Sequence, residues 1–162
     1  MGRDKVIKTN AMRLLDRAKI TYQVSSYPIE DEHNDGVSVA HKLGVEPTVV
    51  YKTRVLKSDE SHHVAIIPAD HELDLKQTAK SFNVKRVELI AVKDLLPLTG
   101  YVKGGCSPLG MKKLFPTLIE QSAKELELIY VSAGKIGWQI IINPNDLADM
   151  LSARFAPLST KE

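Results

Sequence analysis

Chemistry in this sequence is concentrated at two places. The first is TVVYKTRVL, residues 48–56, where strand alternation puts Val50, Lys52, Arg54 and Leu56 on one face and Val49, Tyr51, Thr53 and Val55 on the other. Lys52 is thereby set between apolar neighbours. At a sheet edge such a lysine runs its stem over apolar surface to water and discourages aggregation; in a pocket it is a cation that donates hydrogen bonds to a bound ester or phosphate. The second place is TGYVKGGCSPLGMKK, residues 99–113, which holds four glycines, one proline, three lysines and the only cysteine of the chain. Gly104 and Gly105 let a backbone approach a ligand closely and present N–H groups to a phosphate, a carbonyl oxygen or a developing oxyanion. The same glycines serve equally in a plain turn that needs positive φ.

Spacing removes the motifs this loop superficially imitates. A P-loop requires lysine directly after the second glycine of GxxxxG, whereas Gly105 to Gly110 is followed by Met111, with Lys112 one place late. The nucleophile elbow GxSxG fails because Gly105-Cys106-Ser107-Pro108 is followed by Leu109, so Ser107 is a poor nucleophile. No GxGxxG dinucleotide fingerprint is present in the loop. Cys106 has no sequence-paired histidine and reads as a small packing residue in a tight loop. His62 and His63 are adjacent on a strand and must point to opposite faces, and HELDL lacks the second histidine of a zinc helix, so neither a metal nor another cofactor is expected.

The elements that must position these residues follow from pattern and caps. Thr9 or Asn10 opens a helix with apolar Ala11, Leu14, Leu15 and Ala18 at helical spacing, and ITYQVSSYP is a strand ended by Pro28. Residues 30–35 lie in an acidic, polar loop; Ser38 is the expected cap of a short helix that stops at Gly44. TVVYKTRVL and HHVAIIP form a hairpin across KSDES. Asp74 opens a helix with Leu75, Ala79 and Phe82, RVELI is a strand, and VKDLLP a short helical piece. LELIYVSA and WQIII form a second hairpin across GKIG, and Asn143-Pro144 starts the last helix with a cap and a first-turn proline. Helices interleaved with hairpin-linked strands predict a mixed α/β sheet rather than a doubly wound parallel one.

Composition bounds the partners. The chain has 162 residues, 43% of them hydrophobic, and nothing divides it, so one soluble unit over residues 1–162 is expected. Its 22 basic and 20 acidic residues give a net charge of +2, which excludes a general nucleic-acid binder. The first 24 residues carry six basic and two acidic side chains, either a local RNA contact or a solvated helix face. One cysteine, no apolar leader and no long apolar run predict a reducing cytoplasm and no membrane span.

Three separated blocks, VYKTRVL, TGYVKGGCSPLGMKK and IYVSAGKIGWQI, in this order and at these separations, resemble the YbaK family of bacterial Cys-tRNA(Pro) deacylases. The resemblance runs from the first helix to the last. It implies a mixed, barrel-like β-sheet surrounded by helices, related to the editing domain of bacterial prolyl-tRNA synthetases. It also implies an enzyme that clears cysteine mischarged onto proline tRNA, in trans beside prolyl-tRNA synthetase. The family's strand lysine falls on Lys52, followed by Thr53; its glycine loop falls on Gly100, Gly104, Gly105, Ser107, Pro108 and Gly110; its small-residue turn on Ser132, Ala133 and Gly134; and a pocket-wall position on Tyr27. The acidic segment 30–35 and Trp138 lie outside the family pattern. Relatives of the same fold clear alanine instead. In this family the substrate's own thiol attacks its ester carbonyl, which accounts for the missing triad: Lys52 then anchors the 3′ end, and the amides around Gly104 and Gly105 face the carbonyl oxygen. The alternatives are a non-catalytic module that binds an aminoacyl-tRNA end or a nucleotide, and an ordinary cysteine or serine hydrolase.

Overall fold

The computed structural model describes residues 8–29, 35–59 and 61–162; most of the acidic segment 30–35, residues 30–34, therefore lies outside the described residues. In chain order the helices and strands are α1 (Asn10–Arg17), β1 (Gln23–Ser26), α2 (Gly36–Leu43), β2 (Tyr51–Lys57), β3 (His62–Pro68), β4 (His71–Leu73), α3 (Leu75–Phe82), β5 (Glu88–Leu89), α4 (Val92–Thr99), β6 (Thr117–Glu120), β7 (Ile129–Ser132), β8 (Trp138–Ile142), α5 (Pro144–Leu151), β9 (Arg154–Ala156) and β10 (Ser159–Lys161). The mixed α/β class expected from the sequence is what is found.

The β-structure forms a five-stranded sheet of order β5-β2-β3-β6-β9, a three-stranded sheet β1-β8-β7 and a two-stranded pair β10-β4. Both expected hairpins form, β2 with β3 and β7 with β8, each antiparallel. A parallel bridge between Val50 and Tyr130 joins the entrance of β2 to β7, so the two larger sheets curve around one interior. That interior receives Tyr51 and Val55 from β2, Val64 and Ile66 from β3, Ile119 from β6, Ile129 and Val131 from β7, and Ile140 and Ile142 from β8, closed by Leu15 of α1 and Leu147 of α5. The opposite face of the five-stranded sheet carries Leu56, Ala65, Ile67 and Leu118 beneath Ala79 of α3. Burial on both faces explains why HHVAIIP is a continuous apolar run without alternation. It also places His62 against Phe115, at 5.6 Å between ring centroids, and His63 against Phe82, at 4.6 Å, on opposite sides of the sheet.

Caps act as the sequence indicates at Thr9, Asp74 and Asn143, whose side chains accept from Met12, Gln77 and Asn145 amides. The cap of α2 is a correction. Asp35, not Ser38, fills it, with its carboxylate accepting from the Ser38 amide and hydroxyl, both at 3.0 Å. Asp35 is the residue with extended backbone before the first turn, and Ser38 already lies inside the helix. RVELI shrinks to two paired residues, Glu88 and Leu89, opposite Lys57 and Leu56, with the Ile90 amide donating to the Val55 carbonyl at 3.2 Å. Consequently, past the bridge from Val50 to Tyr130, the first half of β2, which contains Lys52, has no described strand paired along its outer edge.

A buried carboxylate fixes the last connection. Glu120 Oε1 accepts from the amides of Leu158 and Ser159 at 2.9 and 2.8 Å and from the Ser159 hydroxyl at 2.7 Å, while Oε2 accepts from the Gln121 amide at 2.9 Å. This satisfied anion pins the entrance to β10 onto β6.

Candidate functional site

The open outer edge of β2 borders a cavity of about 400 Å³. Its walls are the start of α2 (Asp35, Gly36, Val39), the strand run Val50 to Arg54, the glycine loop (Lys103, Gly104, Cys106), and the facing pair Ser132 and Gln139 from β7 and β8. Because the cavity meets the strand edge, residues of both faces of β2 line it. Gly36 is required there by close packing: a Cβ would lie 2.6 Å from Ala69 Cβ, on the turn after β3.

Lys52 lies in the cavity wall with its side chain 17% exposed. Its ammonium donates to the Ala69 carbonyl at 3.1 Å and stands 3.8 Å from Glu162 Oε2. Burial, reinforced by the positive charge of Arg54, lowers its pKa below the ordinary lysine value, while Glu162, Asp35 and Asp70 pull it back. This is a pocket cation with its stem enclosed, and not a lysine whose head escapes to bulk water. Thr53 follows it, with Oγ1 buried and without a hydrogen-bond partner among the described residues.

Within the glycine loop, turn and cradle are both realised, at different residues. Gly100 ends α4 in the left-handed region at φ 89°. The Tyr101 hydroxyl donates to the Leu109 carbonyl, and the Leu109 amide donates to Ser107 Oγ at 3.2 Å, so the loop is held internally. Gly104, at φ 86°, lines the cavity, and no acceptor for its amide is found among the described residues. The Gly105 amide instead donates to the Val102 carbonyl at 3.0 Å. A Cβ at Gly105 would come within 3.1 Å of the Ile136 amide nitrogen, so this glycine serves close packing against the β7–β8 turn. Cys106 borders the cavity, but burial pushes its thiol up to about 11, against weaker opposing effects of Thr99 and Arg54. No histidine is among the described residues of the lining.

The structure thus brings together four residues singled out from the sequence, Lys52, Thr53, Gly104 and Ser132. Four others stand outside the lining. Gly100 is a helix stop and Gly105 a packing glycine, and the amide of Gly105 is not available to a ligand. Ser107 is fully buried with its hydroxyl oxygen engaged by Leu109. Tyr27 is 5% exposed, its amide donating to the Gly137 carbonyl at 2.9 Å, and its hydroxyl is enclosed without a partner among the described residues. Trp138 is half-buried against the main core, away from the lining.

Lining residues that the sequence reading did not single out as site residues include Gln139, Arg54 and Lys103. Gln139 is 5% exposed, yet its Oε1 has no hydrogen-bond partner among the described residues. The signal was one polar residue in the apolar run WQIII, opposite Ser132 in the register. Ser132 Oγ accepts from the Gly134 amide at 3.1 Å, which leaves its own proton for a ligand. Arg54 reaches the rim two residues from Lys52. No group of three or more histidine, cysteine or acidic side chains able to hold a metal occurs among the described residues.

Fold and cavity together define a mixed α/β protein with a half-open site that offers cations and unpaired polar groups and, among its described residues, carries no activated nucleophile. The model of the aminoacyl-tRNA editing domain family matches residues 33–150, most of the chain, and the protein belongs to that family. The YbaK resemblance is thereby established. The chain is 42% identical over 156 residues, 96% of its length and 95% of the relative's, to a protein of Enterococcus faecalis (strain ATCC 700802 / V583) named "Putative Cys-tRNA(Pro)/Cys-tRNA(Cys) deacylase EbsC". Among solved structures it is similar to "a putative trans-editing enzyme for prolyl tRNA synthetase", with a TM-score of 0.77, 17% identity and coverage of 86% and 87% of the two chains. A second structure, of a hypothetical protein, superposes with a TM-score of 0.85 at 18% identity over 94% of this chain and 100% of the other. At those identities the structural likenesses bear on the fold.

Proposed function

We propose that this chain, acting as one unit over residues 1–162, is a trans-editing deacylase that removes cysteine from mischarged proline tRNA. The observation that carries this reading is a cavity with a held cation and unpaired polar groups but, among its described residues, no activated protein nucleophile. The Cys106 thiol, pushed to about 11, is almost wholly protonated near neutral pH. The nucleophile is then the substrate's own thiol, whose ordinary pKa of about 8.5 supplies thiolate without help. That sulfur attacks the ester carbonyl carbon and forms an oxyanion. Collapse breaks the bond to the ribose oxygen, which takes up the proton the thiol released. The products are a cyclic thiolactone and tRNA with a free terminal hydroxyl; water later opens the thiolactone to cysteine.

Such an attack within one molecule gains chiefly from being held in a reactive geometry. Lys52 anchors the terminal nucleotide or ester, and the Gly104 amide faces the carbonyl oxygen. Gln139 Oε1 accepts from the substrate's α-ammonium beside Ser132 and Thr53, which gives a buried acceptor its missing partner. An alanyl ester carries no thiol and is spared by chemistry, where size alone separates small side chains weakly. Prolyl-tRNA synthetase is the natural partner in the cytoplasm. A net charge of +2 gives little purchase on the tRNA body, and the name of the E. faecalis relative includes both cysteinyl-tRNAs.

The test is purified protein with Cys-tRNA(Pro), Ala-tRNA(Pro) and Cys-tRNA(Cys). Both cysteinyl esters should be lost and the alanyl ester kept. Lys52→Ala should lower the rate at least a hundredfold with an unchanged circular-dichroism spectrum. A wild-type protein that binds these substrates without turnover would make it a binding module.

A further inference from the structure

The carboxylate nearest Lys52 plays no structural part that the fold requires. Glu162, one residue past β10, is fixed through its backbone, its amide donating to the Asp70 carbonyl at 3.0 Å. Its side chain is 55% exposed and reaches Lys52 at 3.8 Å, and among the described residues no hydrogen bond to that carboxylate is found. The contrast with Glu120, a buried carboxylate saturated by four donors, is direct. A half-exposed carboxylate held only by charge at this distance is easily displaced.

What it covers is a concentration of positive charge. Lys52 and Arg54 project from the same face of β2 and both line the cavity, and Lys103 reaches the lining from the glycine loop. Glu162 acts electrostatically on Arg54 as well as on Lys52. Arg54 has no ion pair with another described residue. The Arg54 fork suits a pair of phosphate oxygens, and the two lysines add point charges that need less exact placement. Asp35, the carboxylate among the described lining residues, is turned to its capping duty on Ser38, and Glu162 reaches the cluster through Lys52 without itself lining the cavity.

We propose that Arg54, with Lys52 and Lys103, forms an anion subsite for the 5′-phosphate of the substrate's terminal nucleotide, and that Glu162 occupies this subsite in the free protein as a displaceable internal anion. The inference rests on the deacylase reading for the identity of the nucleotide, but its readout is binding and needs no turnover. Arg54 therefore helps to position the ester, and Glu162 competes with the phosphate.

The experiment is NMR titration of the full chain with adenosine 5′-monophosphate, adenosine and inorganic phosphate. Wild-type protein should bind the monophosphate more tightly than either other probe. Arg54→Gln should weaken the monophosphate about tenfold, the loss of one charge-assisted contact, and leave adenosine unchanged. Glu162→Gln should tighten the monophosphate about two- to fivefold, also without effect on adenosine. Equal monophosphate affinity in wild type and Arg54→Gln overturns the subsite, as does inorganic phosphate binding as tightly as the nucleotide. Unchanged affinity in Glu162→Gln overturns the competing role. Deacylation that persists beside an indifferent Arg54 leaves the deacylase reading standing; Arg54-dependent binding without deacylation sinks that reading and keeps the subsite.

Discussion

A buried amide oxygen without a hydrogen bond costs about 1–3 kcal/mol, and Gln139 carries that cost in the wall of the cavity. A ligand ammonium is a direct way to relieve it. Gln139→Leu should therefore keep or raise the melting temperature, while raising KM for the cysteinyl ester about tenfold. Lower stability with unchanged KM would make Gln139 a packing residue. Cys106, two positions from Gly104, should behave oppositely to a catalytic thiol. With its pKa near 11, Cys106→Ala should keep the rate within about twofold, followed by single-turnover kinetics; a thioester trapped on Cys106 would point to an ordinary hydrolase.

At the scale of elements, the cavity depends on how α2 meets the end of β3. The Cβ of a residue other than glycine at position 36 would meet Ala69 Cβ at 2.6 Å and Ala69 Cα at 3.2 Å, with no flexible side chain to yield. Gly36→Ala should cost about 1–3 kcal/mol in chemical denaturation, and by moving Asp35 and Val39 it should raise KM more than it lowers kcat. What was legible in the sequence at this scale is what local signals determine: the two hairpins from β-branched runs flanking turn residues, and three helix starts from capping side chains. The α2 cap was misplaced because Asp35 and Ser38 are both good caps, and only backbone conformation separates them. Strands β6 and β9 were not read because their parallel pairing, with β3 and with each other, is long-range and four or fewer residues in length. The cavity followed the same logic. Lys52 was visible as a cation in an apolar strand. Gln139 and Arg54 come to line the cavity only because β7 and β8 curve toward the open edge of β2, which no local pattern encodes. Gly105 looked like a ligand cradle until the nearness of Ile136 gave it another reason to be glycine.

For the molecule as a whole, the division of labour with its substrate is the main physical claim. A protein with net charge +2 and a cavity of about 400 Å³ is suited to take the acceptor end and leave the tRNA body largely unread. In the proposed reaction, selectivity comes from the reactive group the substrate brings, and direction toward proline tRNA from a partner. The most direct measurement is the single-turnover rate on Cys-tRNA(Pro) beside the same tRNA esterified with S-methylcysteine, whose sulfur cannot become a thiolate. The capped ester should bind and survive at the uncatalysed rate while the free cysteinyl ester is lost. Cleavage of both at equal rates would contradict attack by the substrate's sulfur.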